Sequence, residues 1–141
     1  MRDIEVIELI QKAIQKGKIG QLLLGRDQYC VPTTYPDLPT DLASIMPHLY
    51  RFINVDKQVA KGYTKAIISM IASDEIWQVY MAGQILLLQL FYEQESISPI
   101  VVSDTLINAY RIRYPEVPPF LKGRINKGNK LLMEKYQRSL L

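Results

Sequence analysis

The chain has 141 residues, 48% of them hydrophobic and 22% charged, with a formal net charge of +3. That size and composition fit one folded domain with a continuous core and exclude a chain disordered throughout. The single cysteine, Cys30, excludes an internal disulfide framework and fits a reducing, cytoplasmic setting.

Met1 runs straight into RDIEVIELI, whose acids inside the first apolar stretch are unlike a signal or transit peptide. Spacing predicts a helix over residues 3–16, with Ile4, Ile7, Ile10 and Ile14 on one face and Val6 and Leu9 widening it. Gly17 and Gly20 are expected to end it, and residues 22–24 to form one short helical turn. A Pro-rich irregular loop follows at about 25–40, a length that in a compact domain points to function. It holds Tyr29 and Tyr35, which no helical face demands. In SIMPHLYRFI, Ser44 as N-cap puts Pro47 in the first turn, where its missing N–H costs nothing; capping at Asp41 instead would set Pro47 deep in the helix. The next helix opens at Asp56, buries Val59, Tyr63, Ile67, Met70 and Ile71, and leaves Lys57, Lys61 and Lys65 outside.

Then comes IWQVYMAGQILLLQLFYEQ, residues 76–94, with thirteen apolar residues and no charge in its first seventeen. A membrane span needs ~20 apolar residues and usually cationic anchors. Gln78, Gln84 and Gln89 interrupt this run, and its flanks are acidic: Asp74 and Glu75 before, Glu93 and Glu95 within and after. The stretch therefore predicts the central helix of a soluble core, buried on all sides, with Ser73 as its cap and Asp74 and Glu75 in its first turn. Ser98-Pro99 repeats the start signal, followed by Val102, Leu106, Tyr110 and Tyr114 on one stripe. Pro115, Pro118 and Pro119 break the chain. A last helix, from about 120 to 140, buries Leu121, Ile125, Leu132 and Tyr136, with Gly123 and Gly128 weakening it by about 1 kcal/mol each and a split expected near 127–129.

The segments 56–94 and 98–138 are two consecutive helix pairs, and their start signals, Asp56 and Ser98, lie about 42 residues apart. In that spacing the last 85 or so residues resemble a HEAT-like helical-repeat module, which implies a short stack of antiparallel helix pairs. The residues themselves equally describe an irregular helical bundle. Either way the expected fold is all-α, one domain over 1–141 with about five to six helices.

Little in the chain offers catalysis. His48 is the one histidine, so zinc sites and nucleophile–base pairs have almost nothing to work with beyond a Cys30–His48 encounter. GRINKGNK, residues 123–130, departs from the phosphate-binding P-loop: Asn129 displaces the lysine by one, Lys130 is followed by Leu131, and no strand precedes it. A non-catalytic chain with no cofactor and no metal is expected.

Charge patterning is the strongest remaining signal. Residues 66–110 hold five acids (Asp74, Glu75, Glu93, Glu95, Asp104) and no Lys or Arg, whereas 111–141 hold eight basic residues against Glu116 and Glu134. On an ideal helix Arg124, Lys127, Lys135 and Arg138 fall within about 80° of one another, a basic ridge of the kind that tracks phosphate. Small, helical, motif-free chains of this sort are similar in kind to bacterial immunity proteins, a resemblance that implies a protein-binding inhibitor occluding a cognate toxin. A basic nuclease toxin would meet the acid-only region, so Glu93, Glu95 and Asp104, with Tyr29 and Tyr35, are the candidate contacts. The alternative is a nucleic-acid-binding helical repeat using the ridge, expected to bind only weakly. No membrane partner is expected.

Overall fold

The computed structural model describes residues 3–24, 40–95 and 101–141, without the side chains of 40–44. The fold is all-α. In chain order the helices are α1 (Asp3–Gln15), α2 (Ile19–Leu23), α3 (Thr40–Val55), α4 (Lys57–Ile71), α5 (Ile76–Gln94), α6 (Asp104–Arg113) and α7 (Pro119–Tyr136), with a 3-10 turn at Tyr114–Glu116. Among the described residues that is one or two α-helices more than the sequence suggested, because the short turn at α2 is a helix in its own right. Two compact units, Met1–Ile67 and Ile68–Leu141, divide within α4.

In the first unit α1 packs on α2 and α3. Its buried arc is Val6 and Ile10, while Ile4 is 61% exposed and Leu9 38%, which corrects the stripe of isoleucines. Seven of the residues 3–16 are apolar and occupy more than half the circumference, so the placing of α2 and α3, not the pattern, selects the arc. Gly17 ends α1 at φ 65°, with Lys18 N–H on the Ala13 carbonyl and Gly17 N–H on that of Ile14, a Schellman closure. Gly20 is not a terminator: it lies inside α2, where its small size faces Ala66. Helix α3 starts at Thr40, four residues before the Ser44 cap that was expected, and Pro47 is therefore inside it. Pro47 has no N–H to offer the carbonyl four residues back. Burial of Ile45, Met46, Leu49, Tyr50 and Ile53 along the same helix offsets that loss. Asp56 caps α4 as expected, its Oδ1 accepting from Gln58 N–H at 2.9 Å. Val59, Tyr63, Ile67, Met70 and Ile71 are all buried, with the three lysines outside. Tyr63 meets Tyr50 edge to face, centroids 6.3 Å apart, and burial pushes its hydroxyl far up from the ordinary tyrosine range.

The second unit is built on α5, against which α6 and α7 pack. Eleven of its nineteen residues are buried, among them Ile85, Leu86, Leu87 and Leu90, so the uncharged helix is covered around most of its circumference. It begins at Ile76, not at Ser73: Ser73 Oγ accepts from Glu75 N–H in the turn before the helix, and Asp74 and Glu75 precede the first turn. The α6 start is likewise later than Ser98-Pro99, which lies outside the described residues; Ser103 caps it by accepting from Leu106 N–H at 3.2 Å. Arg113 at the end of α6 donates to the carbonyls of Ile71 (2.8 Å) and Ser73 (3.1 Å), placing a cation on the last carbonyl of α4 and on the turn after it, and is held by Glu116.

Helix α7 is continuous, with no split near 127–129. Gly128 explains why: a Cβ there would lie 2.9 Å from Leu87 Cδ1, so the glycine is a close-approach point between α7 and α5. Gly83 does the same on α5, where a Cβ would lie 2.6 Å from Tyr110 Cζ. Gly123, by contrast, has nothing within 4 Å of a Cβ. Past α7, Asn129 Oδ1 accepts from Leu140 N–H (2.7 Å), Arg111 Nε donates to the Leu140 carbonyl (2.9 Å), and Leu140 is fully buried.

Thermal unfolding of single variants separates these roles. Leu90→Ala should cost about 2–5 kcal/mol as a buried cavity. Gly83→Ala should destabilise by about 1–3 kcal/mol through overpacking under Tyr110, whereas Gly123→Ala should stabilise by up to about 1 kcal/mol, since only helix propensity changes there. Equal shifts for the two glycine variants would refute the close approach at Gly83.

Candidate functional site

The sequence-nominated acids are engaged inside the second unit. Glu93 accepts from the backbone N–H of Val102 at 3.1 Å, holding the segment that leads into α6. Glu95 accepts from Tyr136 Oη at 2.6 Å and from Lys135 Nζ at 3.2 Å, joining the end of α5 to the end of α7. Tyr136 packs edge-on to Phe91, centroids 6.0 Å apart, and the Lys135 ammonium sits 5.0 Å over its ring. The Tyr136 hydroxyl first, and Lys135 second, hold the Glu95 carboxyl below its usual range. Asp104 is exposed in the first turn of α6, beside the Ser103 cap, where the helix dipole favours an acid. Tyr29 and Tyr35 lie outside the described residues, as does Cys30.

The basic ridge is shorter than an ideal helix through residue 140 implies. Gln137 takes a left-handed conformation at φ 55°, closing α7 with its N–H on the Met133 carbonyl. Arg138 therefore leaves the helical line, and its Nε is buried without a hydrogen-bond partner among the described residues. Lys135 is committed to Glu95. Arg124 and Lys127 remain exposed on α7.

What sequence reasoning passed over is the apolar company those two cations keep. Phe120 is 59% exposed and Leu131 53%. With Arg124 and Lys127 they occupy positions i, i+4, i+7 and i+11, within about 60° on an ideal helix and about 130° from the buried arc of Leu121, Ile125, Asn129 and Leu132. The order along the face is Phe, Arg, Lys, Leu: two apolar anchors about 16 Å apart with two cations between them. The signal was present in the 3.6-residue period and was passed over because only charge was weighed.

In the first unit, Ile7, His48, Arg51, Phe52 and Val55 line an open cleft of about 300 Å³. His48 Nε2 lies 3.5 Å from the Asp3 carboxylate and Nδ1 3.5 Å from Arg51, loose contacts at the rim of hydrogen-bond distance. Among the described residues no group of three or more His, Cys, Asp or Glu is placed to hold a metal ion, and no helix is long and apolar enough to cross a membrane.

The Glu95 corner has a pH signature. Its folded-state pKa is depressed, so the bonds to Tyr136 and Lys135 persist above the ordinary carboxylate range and are lost only as pH falls below it. Carboxyl NMR titration should find Glu95 titrating below the ordinary glutamate range, and Tyr136→Phe should move its midpoint upward. An unchanged midpoint would show that the hydroxyl does not hold the carboxylate.

Comparison of the chain with protein-family models, with curated proteins and with solved structures returned no match.

Proposed function

We propose that the chain is a non-catalytic protein-binding module whose contact surface is the outward face of α7. The observation that carries this reading is the alignment of two largely exposed apolar side chains, Phe120 and Leu131, with Arg124 and Lys127 on one line of a well-formed helix. Single exposed hydrophobics are ordinary on any surface. Four residues of this kind in register are the composition of an interface, where aromatic and Arg side chains are enriched and apolar anchors supply most of the energy. An inhibitor acting by occlusion, of the immunity-protein kind, is one form such a module takes. On this reading its contact falls on the outward face of α7, while Glu93 and Glu95 serve Val102, Lys135 and Tyr136 within the unit.

Phosphate tracking draws less support from the same face. Each phosphate neutralised contributes about −0.9 to the slope of log affinity against log salt on duplex DNA, so a long row of cations is needed. Here Lys135 is paired, Arg138 is off the helix, and apolar residues stand at both ends of the row.

A photo-crosslinking residue placed at Leu131, in cells that natively produce the chain, should yield a discrete protein adduct. The same residue at Lys65, exposed on α4, should not, and Arg124→Glu with Lys127→Glu should abolish the Leu131 adduct. Equal adducts at both positions, or adducts destroyed by nuclease, would overturn the reading.

A further inference from the structure

We infer that the cleft between α1 and α3 is a site for a small carboxylic acid with an apolar, ring-sized body. It lies in the first unit and is independent of the α7 reading. His48, Arg51, Phe52 and Val55 stand at i, i+3, i+4 and i+7, so they share one line of α3, and Ile7 of α1 completes the lining.

The first argument is how that lining is divided. Ile7 and Phe52 are half-buried and Val55 is 81% exposed, so the apolar part of the cleft is open to water and gains from being covered. The polar part is confined to His48 and Arg51, one turn of α3 apart. An apolar hollow with a few convergent polar groups is the usual composition of a small-molecule site. At about 300 Å³ this one lies at the lower end of the size range, which calls for a small ligand.

The second argument is the state of Arg51. An arginine N–H can only donate, so in the 3.5 Å contact between Arg51 Nη1 and His48 Nδ1 the imidazole is the acceptor. The ring proton then lies on Nε2, which faces the Asp3 carboxylate at 3.5 Å. Asp3 is therefore turned to His48, and among the described residues Arg51 has no carboxylate partner. Its exposed guanidinium, touched by His48 at one nitrogen, presents the remaining donors of its fork to a planar oxyanion.

The direction of α3 orients the ligand. Val55 is the last residue of the helix, and the dipole disfavours an anion at that end, whereas Arg51 stands a full turn earlier. The carboxylate belongs at Arg51, with the apolar body lying along Phe52 and Ile7 towards Val55. A phosphate dianion fits less well: one arginine faces the cleft, Asp3 stands nearby, and no lysine lines it among the described residues.

The chain has a single histidine, and it lines the cleft, so the His48 imidazole resonances report on this site without ambiguity. Phenylacetate, titrated into the full chain at constant buffered pH, should shift them saturably with a Kd of about 1 mM or tighter. Phenylacetamide, which lacks the charge, and acetate, which lacks the ring, should each bind at least about tenfold more weakly. Arg51→Gln should weaken phenylacetate at least about tenfold and leave both the phenylacetamide titration and the melting temperature unchanged, since Arg51 is exposed. His48 resonances that do not respond to phenylacetate would overturn the inference. So would equal binding of acid and amide, an Arg51→Gln variant that binds phenylacetate normally, or inorganic phosphate binding more tightly than phenylacetate. Those results leave the α7 reading standing, just as a missing adduct at Leu131 leaves this site standing.

Discussion

Burial of α5 is the constraint on which the second unit depends. A helix with no charge in its first seventeen residues cannot leave a broad face to water without losing the free energy that orders it, so α6 and α7 are bound to cover it. How closely they do so is set at two points where α5 and its neighbours come within the reach of a single methyl group. At Gly83 the ring of Tyr110 lies over the α5 backbone; at Gly128 the α7 backbone lies over Leu87. Each contact is possible only because one partner has no Cβ. Tyr110 accepts a further penalty, since its hydroxyl is buried with no hydrogen-bond partner among the described residues, and burial drives its pKa far upward.

The polar contacts of the same unit then act as fasteners around that apolar contact. Arg113 holds the final carbonyls of α4, Glu93 and Glu95 tie the end of α5 to the α6 approach and to α7, and Asn129 with Arg111 clasps the backbone around Leu140. Most are partly exposed, so their individual contributions to stability are modest. Their value is in fixing direction: each joins a helix end to a neighbour, where the backbone carries orphan donors or acceptors that water would otherwise satisfy. This internal use of charge engages Glu95 and Lys135 with each other where two helix ends meet.

Helix α7 carries Phe120, Arg124, Lys127 and Leu131 on the side away from its buried arc. Leu121, Ile125, Asn129 and Leu132 satisfy α5 and the segment beyond α7, and the opposite face is turned outward. On such a face water selects for polar side chains. Phe120 and Leu131 are therefore placed against the local solvation preference, and a helix face bearing them gains from being covered.

The sequence by itself determined the helices and the buried character of α5. Helical period, the Asp56 cap and the prolines at 115, 118 and 119 are local features whose physics is complete within a few residues. It also contained the four residues of the α7 line, though nothing local distinguished them from a solvated face. Only the tertiary structure decided which arc of α1 is buried, because that depends on where α2 and α3 pack and not on the order of isoleucines. The same holds for Gly128, which weakens a helix in isolation but admits Leu87 in the fold, and for Pro47, tolerated inside α3 among buried neighbours. The surroundings of the acids and of the ridge were not legible in the sequence, for one reason. Whether Glu95 and Lys135 face a partner or each other is fixed by the meeting of two helix ends forty residues apart, and Gln137's left-handed turn, which takes Arg138 off the line, serves a tail held by Asn129 and Arg111. Charge in a sequence states what a side chain offers; the neighbours that folding brings to it decide whether the offer is already taken.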